Sequence, residues 1–534
     1  MRRLASGIAG AALLIAVLTV LSRLAGFGRT AVFSQTVGTS CLSDVYFTAN
    51  QVPNIMFEIV AGGALASMVV PVLAGPAERG EGETVRRTAS ALLTWVLMLL
   101  VPLALLVALL AGPIMALLSW GGELGGCDPA AYRAIGARML LVFAPQIVMY
   151  GLAVVLYGVL QSHRRFTGPA LAPLLSSLVM IAAYLAYVPL MDGHDPDRLP
   201  EVPRDAELML SVGTTVGVSA MVVVALAAGW PLKLRLRPAL RFPDGVGRQV
   251  RVLAFAGLAT VVAQQLTTLA ILILKNQGTK AALSHYTYAW AIYLLPWAIL
   301  VVPIATSAFQ SLSARFQDAD PADFDRIAAS TTRAVVLVSC LGAALVAAVA
   351  VPVAWFFDPP RPGVEAQPEV LARALLAFAP GLLGYGLVAH LGRALYACDR
   401  GRESARAVVI GWVAVLVADV VLVRLVPEDW VVAAFGFGNA AGMTVAGALL
   451  LVALVRARGL AAVDGLPRAA LGGLLGGSVG AAAGYSVARA FGVGDQMHNL
   501  LGAAAAALAA AIVFGVLAAF TARDDLREIL ARRR

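Results

Sequence analysis

Phe143-Ala144-Pro145-Gln146-Ile147-Val148-Met149-Tyr150-Gly151-Leu152 is echoed by Phe378-Ala379-Pro380-Gly381-Leu382-Leu383-Gly384-Tyr385-Gly386-Leu387. The Phe-Ala-Pro and Tyr-Gly-Leu positions all coincide at one offset of 235 residues. Chance similarity between two apolar helices rarely reaches six positions that include Pro and Tyr, so the chain carries an internal duplication. The copies fall on the fourth and tenth of fourteen apolar segments. Six segments per repeat is an even number, so both copies enter a membrane in the same direction. That predicts two parallel lobes related by an axis along the membrane normal.

The fourteen segments run over 8–36, 43–73, 88–118, 133–161, 167–190, 207–231, 250–275, 284–311, 328–357, 370–397, 404–425, 429–456, 469–490 and 497–522. Of the 534 residues 60% are hydrophobic and only 13% are charged, and mean hydropathy is +0.84. Soluble domains carry roughly 25% charged residues. The expected fold is therefore an all-α polytopic membrane protein of about fourteen transmembrane helices. The expected organisation is an N-terminal six-helix lobe over 1–231 and a basic cytoplasmic linker over 232–249. A C-terminal six-helix lobe over 250–456, helices 13 and 14 over 469–522, and a basic tail over 523–534 follow. The opening Met1-Arg2-Arg3 and its apolar run continue into a helix carrying Arg23, and read as a retained first span rather than a secretory signal.

The net charge of +9 is distributed by topology. With both termini cytoplasmic, the inner segments carry 28 Lys and Arg and the outer ones 10. This positive-inside bias argues against nucleic acid as a partner. The linker cluster Lys233, Arg235, Arg237, Arg241, Arg248 and Arg251 reads as an anchor on anionic membrane lipids. The two remaining basic residues are Arg23 and Arg29, inside the first span. A charge at that depth costs about 2.5–3.5 kcal/mol on insertion scales, so it is kept for a polar partner or a watery path. Guanidinium offers planar paired donors suited to a phosphate. Snorkelling of both to a surface is the bland alternative.

Other chemistry is sparse. Cys41, Cys127, Cys340 and Cys398 show no Cys-x-x-Cys spacing. Cys41 and Cys127 fall in loops expected outside, where a disulfide and two free thiols are both open. The five histidines lack metal-ligand spacing, and no phosphate-cradling Gly-x-x-x-x-Gly-Lys motif exists. Gly476-Gly477-Ser478-Val479-Gly480 matches a hydrolase elbow, but it sits in a glycine ridge (Gly472, Gly476, Gly480, Gly484) suited to helix contact. Nothing here supports an enzyme. Asp419 lies far from any expected loop and is a candidate for ion coupling, with Asn439 and Thr444 as plausible neighbours.

Several motifs resemble the MurJ/MviN lipid flippases of the multidrug/oligosaccharidyl-lipid/polysaccharide exporter superfamily. They are Ser22-Arg23-x-x-Gly26-x-x-Arg29, then Gly38, Asp44, Pro53-Asn54, Gly63-Ala64 and Pro71. Phe166-x-x-Pro169-Ala170-x-x-Pro173 and Ala379-Pro380-Gly381-Leu382-Leu383 extend the likeness. The resemblance implies a bacterial plasma-membrane flippase for lipid II, the undecaprenyl-diphosphate-linked peptidoglycan precursor. It implies alternating access with a cationic cavity lined by helices 1, 2, 7 and 8, and a lipid-tail groove beside helices 13 and 14. Arg23 and Arg29 become diphosphate donors, and Asp44 a partner for them or for the headgroup. Asn54, Glu58 and Lys275 complete the candidate substrate set, with Glu58 placed to pair with Arg23 or Arg29. No cofactor is implied beyond a coupling cation, sodium or proton, or the membrane potential. Cell-wall synthesis proteins are candidate partners.

The chain departs from the family pattern. Phe57 and Glu58 stand where two arginines are common, Gly62-Gly63-Ala64 replaces Glu-Gly-Ala, and Tyr288-Ala289-Trp290-Ala291 replaces Tyr-Ala-Asp-Arg. Helix 7 offers Gln264, Gln265, Thr267 and Thr268 but no carboxylate, which weakens sodium as the coupling ion. Three rival readings follow: an exporter of another polyprenyl-linked glycan, a drug exporter disfavoured by the cationic residues, and a non-transporting cell-wall scaffold.

Overall fold

Hydrocarbon supplies no hydrogen bonds to a backbone, so a chain this apolar must satisfy its amides within helices. The computed structural model describes residues 2–59, 69, 72–73, 75–76, 79–232, 237–242, 246–360 and 366–521, and among them the secondary structure is entirely helical. Gly62, Gly63, Ala64, Pro71, Lys233, Arg235 and the tail over 523–534 lie outside the described residues. By contacts the chain divides into two units, Met1–Thr268 and Leu269–Arg534.

Unit 1 begins with α1 (Arg2–Thr36) and α2 (Cys41–Phe57). Then come α3 (Gly82–Leu109), α4 (Ala111–Leu118), α5 (Pro129–Phe143) and α6 (Gln146–Ser162). It continues with α7 (Thr167–Met191), α8 (Arg204–Gly229) and most of α9 (Val246–Leu274). Helix α1 packs along α7 and α7 along α8, while α2 lies against α5 and α6. Ser40 starts α2 with a capping box: its hydroxyl accepts from the Ser43 amide and the Ser43 hydroxyl accepts from its own. This end of α2 is further tied down. Cys41 and Cys127 are joined in a disulfide with Cα atoms 5.7 Å apart. The Cys41 amide donates to Asp197 Oδ1 at 2.9 Å, and the Leu42 amide to the Pro196 carbonyl at 3.2 Å. Below this weld, Phe33, Tyr46, Phe47 and Tyr184 pack as an aromatic cluster with centroids 4.7–6.4 Å apart.

Unit 2 holds α10 (Ala282–Pro296), α11 (Val302–Gln317), α12 (Pro321–Ala348) and α13 (Ala350–Phe357). A π-helical turn, Trp297–Val301, joins α10 to α11. Next are α14 (Pro368–Phe378), α15 (Gly381–Ala397), α16 (Gly401–Leu422) and α17 (Val431–Arg458). The last pair is α18 (Leu466–Phe491) and α19 (Gln496–Thr521). Helices α14 and α15 meet at a 47° bend at Ala379-Pro380, whereas the equivalent α5 and α6 run as one span, Pro129–Ser162. Proline removes an amide donor at both sites; the larger bend belongs to the copy in which glycine follows.

Among the described residues eleven helices are long and apolar enough to cross a membrane, or twelve if the bent pair is one span. Helices α1 and α2 stand apart from these. α1 is 35 residues long, with the side chains of its first fifteen residues outside the description. The second expected segment, 43–73, runs beyond α2 into residues of which most are not described. The twelve spans match the third to fourteenth expected segments, and the first two fall on α1 and on α2 with the residues outside the description.

The glycines of α18 serve two neighbours. A Cβ on Gly477 would lie 3.2 Å from the Cys340 carbonyl oxygen of α12, and one on Gly480 would lie 2.9 Å from the Ala510 carbonyl oxygen of α19. Backbone cannot retreat as a side chain can. Gly480→Leu therefore forces α18 and α19 apart, at about 1–3 kcal/mol for overpacking. The expected outcome is a lower midpoint in thermal denaturation of the detergent-solubilised protein, with Gly515→Leu, where a Cβ meets nothing within 4 Å, as the unaffected control.

Candidate functional site

Within unit 1, Arg29 is half-buried on α1. Its one hydrogen bond among the described residues runs from Nη1 to the Met180 Sδ on α7, at 3.0 Å. A thioether is a weak acceptor, so most of the five guanidinium N–H donors have no protein acceptor. The phenols of Tyr46 and Tyr150 lie within its electrostatic range. Arg23 is exposed and makes no hydrogen bond or ion pair among the described residues. Many other arginines do pair: Arg86 and Arg87 with Glu83, Arg326 with Asp323, Arg400 with Glu403, and Arg458 with Asp325. The two arginines singled out by depth thus have no carboxylate partner among the described residues, a condition they share with Arg133, Arg165 and Arg393, which bond a hydroxyl or a backbone carbonyl.

The expected acidic partners are elsewhere. Asp44 is buried in the first turn of α2, where Oδ2 accepts from the Tyr132 hydroxyl at 2.8 Å and Thr48 bridges to the same hydroxyl at 2.7 Å. Its Oδ2 is thus held by a phenol. Glu58 corrects a second expectation: it is exposed just beyond α2, and among the described residues it forms no ion pair with Arg23 or Arg29. Lys275, in unit 2, is 3% exposed in the turn Lys275–Gln277, so its ammonium is not a solvated outer-loop group and offers a ligand little surface.

Asn54 does sit in a polar array. The Tyr150 hydroxyl donates to Asn54 Oδ1 at 3.3 Å, and Asn54 Nδ2 donates to Asn50 Oδ1 at 3.2 Å. Asn50 Nδ2 donates to Gln146 Oε1 at 3.4 Å, and Gln146 Nε2 to Thr215 Oγ1 at 2.9 Å. Thr215 ends the run on the Val142 carbonyl at 3.0 Å. Helices α2, α6 and α8 each supply members. Sequence reasoning named only Asn54; the available signal was a glutamine directly after the repeated proline.

In unit 2, Asp419 on α16 is completely buried, and neither carboxylate oxygen has a hydrogen-bond partner among the described residues. It lies against Gly438 of α17, whose missing side chain makes room: a Cβ there would be 1.9 Å from Oδ1. Asn439 is also buried, with Oδ1 unpartnered, and lies beside Gly381, where a Cβ would be 3.3 Å from that oxygen. Thr444 is exposed and bonded to the Ala440 carbonyl of its own helix, so it does not join this group.

A further pair went unseen in the sequence. Glu207, 2% exposed, accepts from Arg138 Nη2 at 2.5 Å and from Arg204 Nη1 at 2.8 Å. The two arginines hold a buried carboxylate at the start of α8. Removing one donor leaves it half-satisfied. Arg138→Met is expected to destabilise unit 1 by about 1–3 kcal/mol, seen as a lower thermal midpoint. Arg204→Met, whose side chain is more exposed, shifts it less.

The fold is shared with solved membrane proteins. A solved structure described as "Lipid II flippase MurJ, inward closed conformation" superposes with a TM-score of 0.72 at 18% identity, covering 96% of this chain and 99% of that one. An inward-facing multidrug resistance MATE family transporter of the MOP superfamily superposes with a TM-score of 0.65 at 14% identity, covering 89% and 99%. The family model described as "Lipid II flippase MurJ" matches residues 33–479, and the chain belongs to that family. The lipid II flippase MurJ of Burkholderia cenocepacia is 26% identical over 386 residues, 71% of each chain. A probable lipid II flippase MurJ of Rhizobium tropici is 29% identical over 283 residues, 52% of this chain and 50% of its own. Family membership places the protein among membrane transporters rather than enzymes.

Proposed function

We propose that this protein is a flippase that moves lipid II from the inner to the outer leaflet of the bacterial plasma membrane by alternating access. The family match over residues 33–479 carries the reading. Arg23 and Arg29, without carboxylate partners among the described residues, supply the counter-charge that a diphosphate needs in hydrocarbon. No covalent chemistry is required of the protein. Both termini are cytoplasmic in this reading. Lys and Arg left on the inner surface meet anionic lipid.

Asp419 is the coupling residue. An ionised carboxylate buried without a partner is costly, so it takes up a proton or a cation in this state. A conformation that opens α16 to water releases it, which links transport to an ion gradient. One observation favours a second reading, export of a different polyprenyl-linked glycan. The cationic positions usual in the family are Phe57, Glu58 and Ala291 here.

The test is lipid II translocation in cells depleted of their own flippase, read by an external enzyme that cleaves only outward-facing lipid II. The chain is expected to restore cleavage, and the double variant Arg23→Ala/Arg29→Ala to lower it by at least about tenfold at equal membrane abundance. A wild type that inserts but restores nothing overturns lipid II in favour of another glycan lipid. A double variant that works as well as wild type removes the arginines from the site. In inverted vesicles, Asp419→Asn is expected to abolish the dependence of transport on an imposed proton or sodium gradient. An unchanged dependence excludes Asp419 as the coupling group.

A further inference from the structure

The hydrogen bonds that join Tyr150, Asn54, Asn50, Gln146, Thr215 and the Val142 carbonyl all point one way. Each asparagine accepts from one neighbour and donates to the next. A primary amide has two N–H donors and two lone pairs on oxygen. The run therefore uses one of each, fixes the amide plane, and leaves one donor and one acceptor site on both Asn50 and Asn54. These two residues are half-buried, whereas Gln146 behind them is fully buried. Spaced four apart on α2, they occupy one face, which Glu58 continues another four residues on. The ring of Tyr150 is held in turn by Phe57, at 4.5 Å between centroids.

The duplicated half shows that the helix break does not require this array. At the equivalent positions unit 2 has Gly381 in place of Gln146, and Tyr385 in place of Tyr150. The Tyr385 ring packs among Trp297, Tyr293 and Trp290, at 5.0, 5.9 and 6.2 Å. One template thus carries a row of amides in one unit and an aromatic cluster in the other. Amides with spare donors and acceptors are expensive in hydrocarbon. Neutral paired donors and acceptors suit hydroxyl and acetamido groups, whereas phosphate is met by guanidinium.

We propose that Asn50 and Asn54 bind the uncharged sugar portion of the substrate, and that Tyr150 and Gln146 are positioning residues that hold those amides in register. This rests on the flippase reading and assigns the headgroup's charged and neutral parts to different side chains of unit 1.

The full chain in lipid nanodiscs is titrated with two probes, lipid II stripped of its peptide and undecaprenyl diphosphate, which lacks the sugars as well. Wild type is expected to bind the stripped lipid II more tightly. Tyr150→Phe, which keeps the ring on Phe57, and Asn50→Ala are expected to weaken stripped lipid II binding by about fivefold or more. Neither is expected to alter binding of undecaprenyl diphosphate, and Arg29→Ala is expected to weaken both. Thermal midpoints within the wild-type range exclude misfolding. Equal weakening toward both probes, no weakening toward either, or a wild type blind to the sugars overturns the proposal. A wild type that binds neither probe instead overturns the flippase reading, and the sugar assignment falls with it.

Discussion

A polar group inside hydrocarbon has to find its partner within the protein, because the solvent offers none. This constraint explains why the secondary structure of the described residues is helical, and it sorts the side chains. Glu207 is clamped by Arg138 and Arg204, and Asp44 accepts from the Tyr132 hydroxyl. Asn54, Asn50 and Gln146 bond one another in sequence, with a donor and an acceptor site to spare on each asparagine. Against that background the groups left over stand out: the guanidinium of Arg29 on a thioether, Arg23 with no carboxylate, and Asp419 with two unpartnered oxygens. The proposed substrate and coupling roles fall on residues whose electrostatics the described structure leaves unfinished.

Much of the fold was legible because hydrophobic length and repeat offset are one-dimensional signals. The Phe-Ala-Pro and Tyr-Gly-Leu echo marks the fourth and tenth segments, and the structure puts a helix break at both prolines. The glycine ridge of the thirteenth segment was also readable, since spacing alone places Gly476, Gly480 and Gly484 on one side. That Gly473 and Gly477 face α12 while Gly480 faces α19 was not, because a ridge does not name its neighbours.

The site was legible by depth rather than by partner. Arg23, Arg29 and Asp419 announce themselves as charges in apolar runs. What each side chain touches depends on residues far along the chain: Asp44 meets Tyr132, Asn50 meets Gln146, and Arg29 meets Met180. Glu58 illustrates the limit. Its place after Pro53-Asn54 suggested a partner for the arginines, but helical geometry leaves it exposed just beyond α2. Gln146 illustrates the converse, an amide hidden in an apolar run whose importance emerges only from the neighbours it joins.

The bond between Cys41 and Cys127 closes a covalent ring through 86 positions of chain. That ring takes in α2, α3 and α4, together with the stretches that connect them. A protease that cuts one of those connections opens the ring without releasing a fragment. Under non-reducing conditions the nicked protein migrates as one species, and it separates into two only when the thiols are restored. The first unit thus has a form of damage tolerance that hydrophobic packing alone does not give a helical membrane protein.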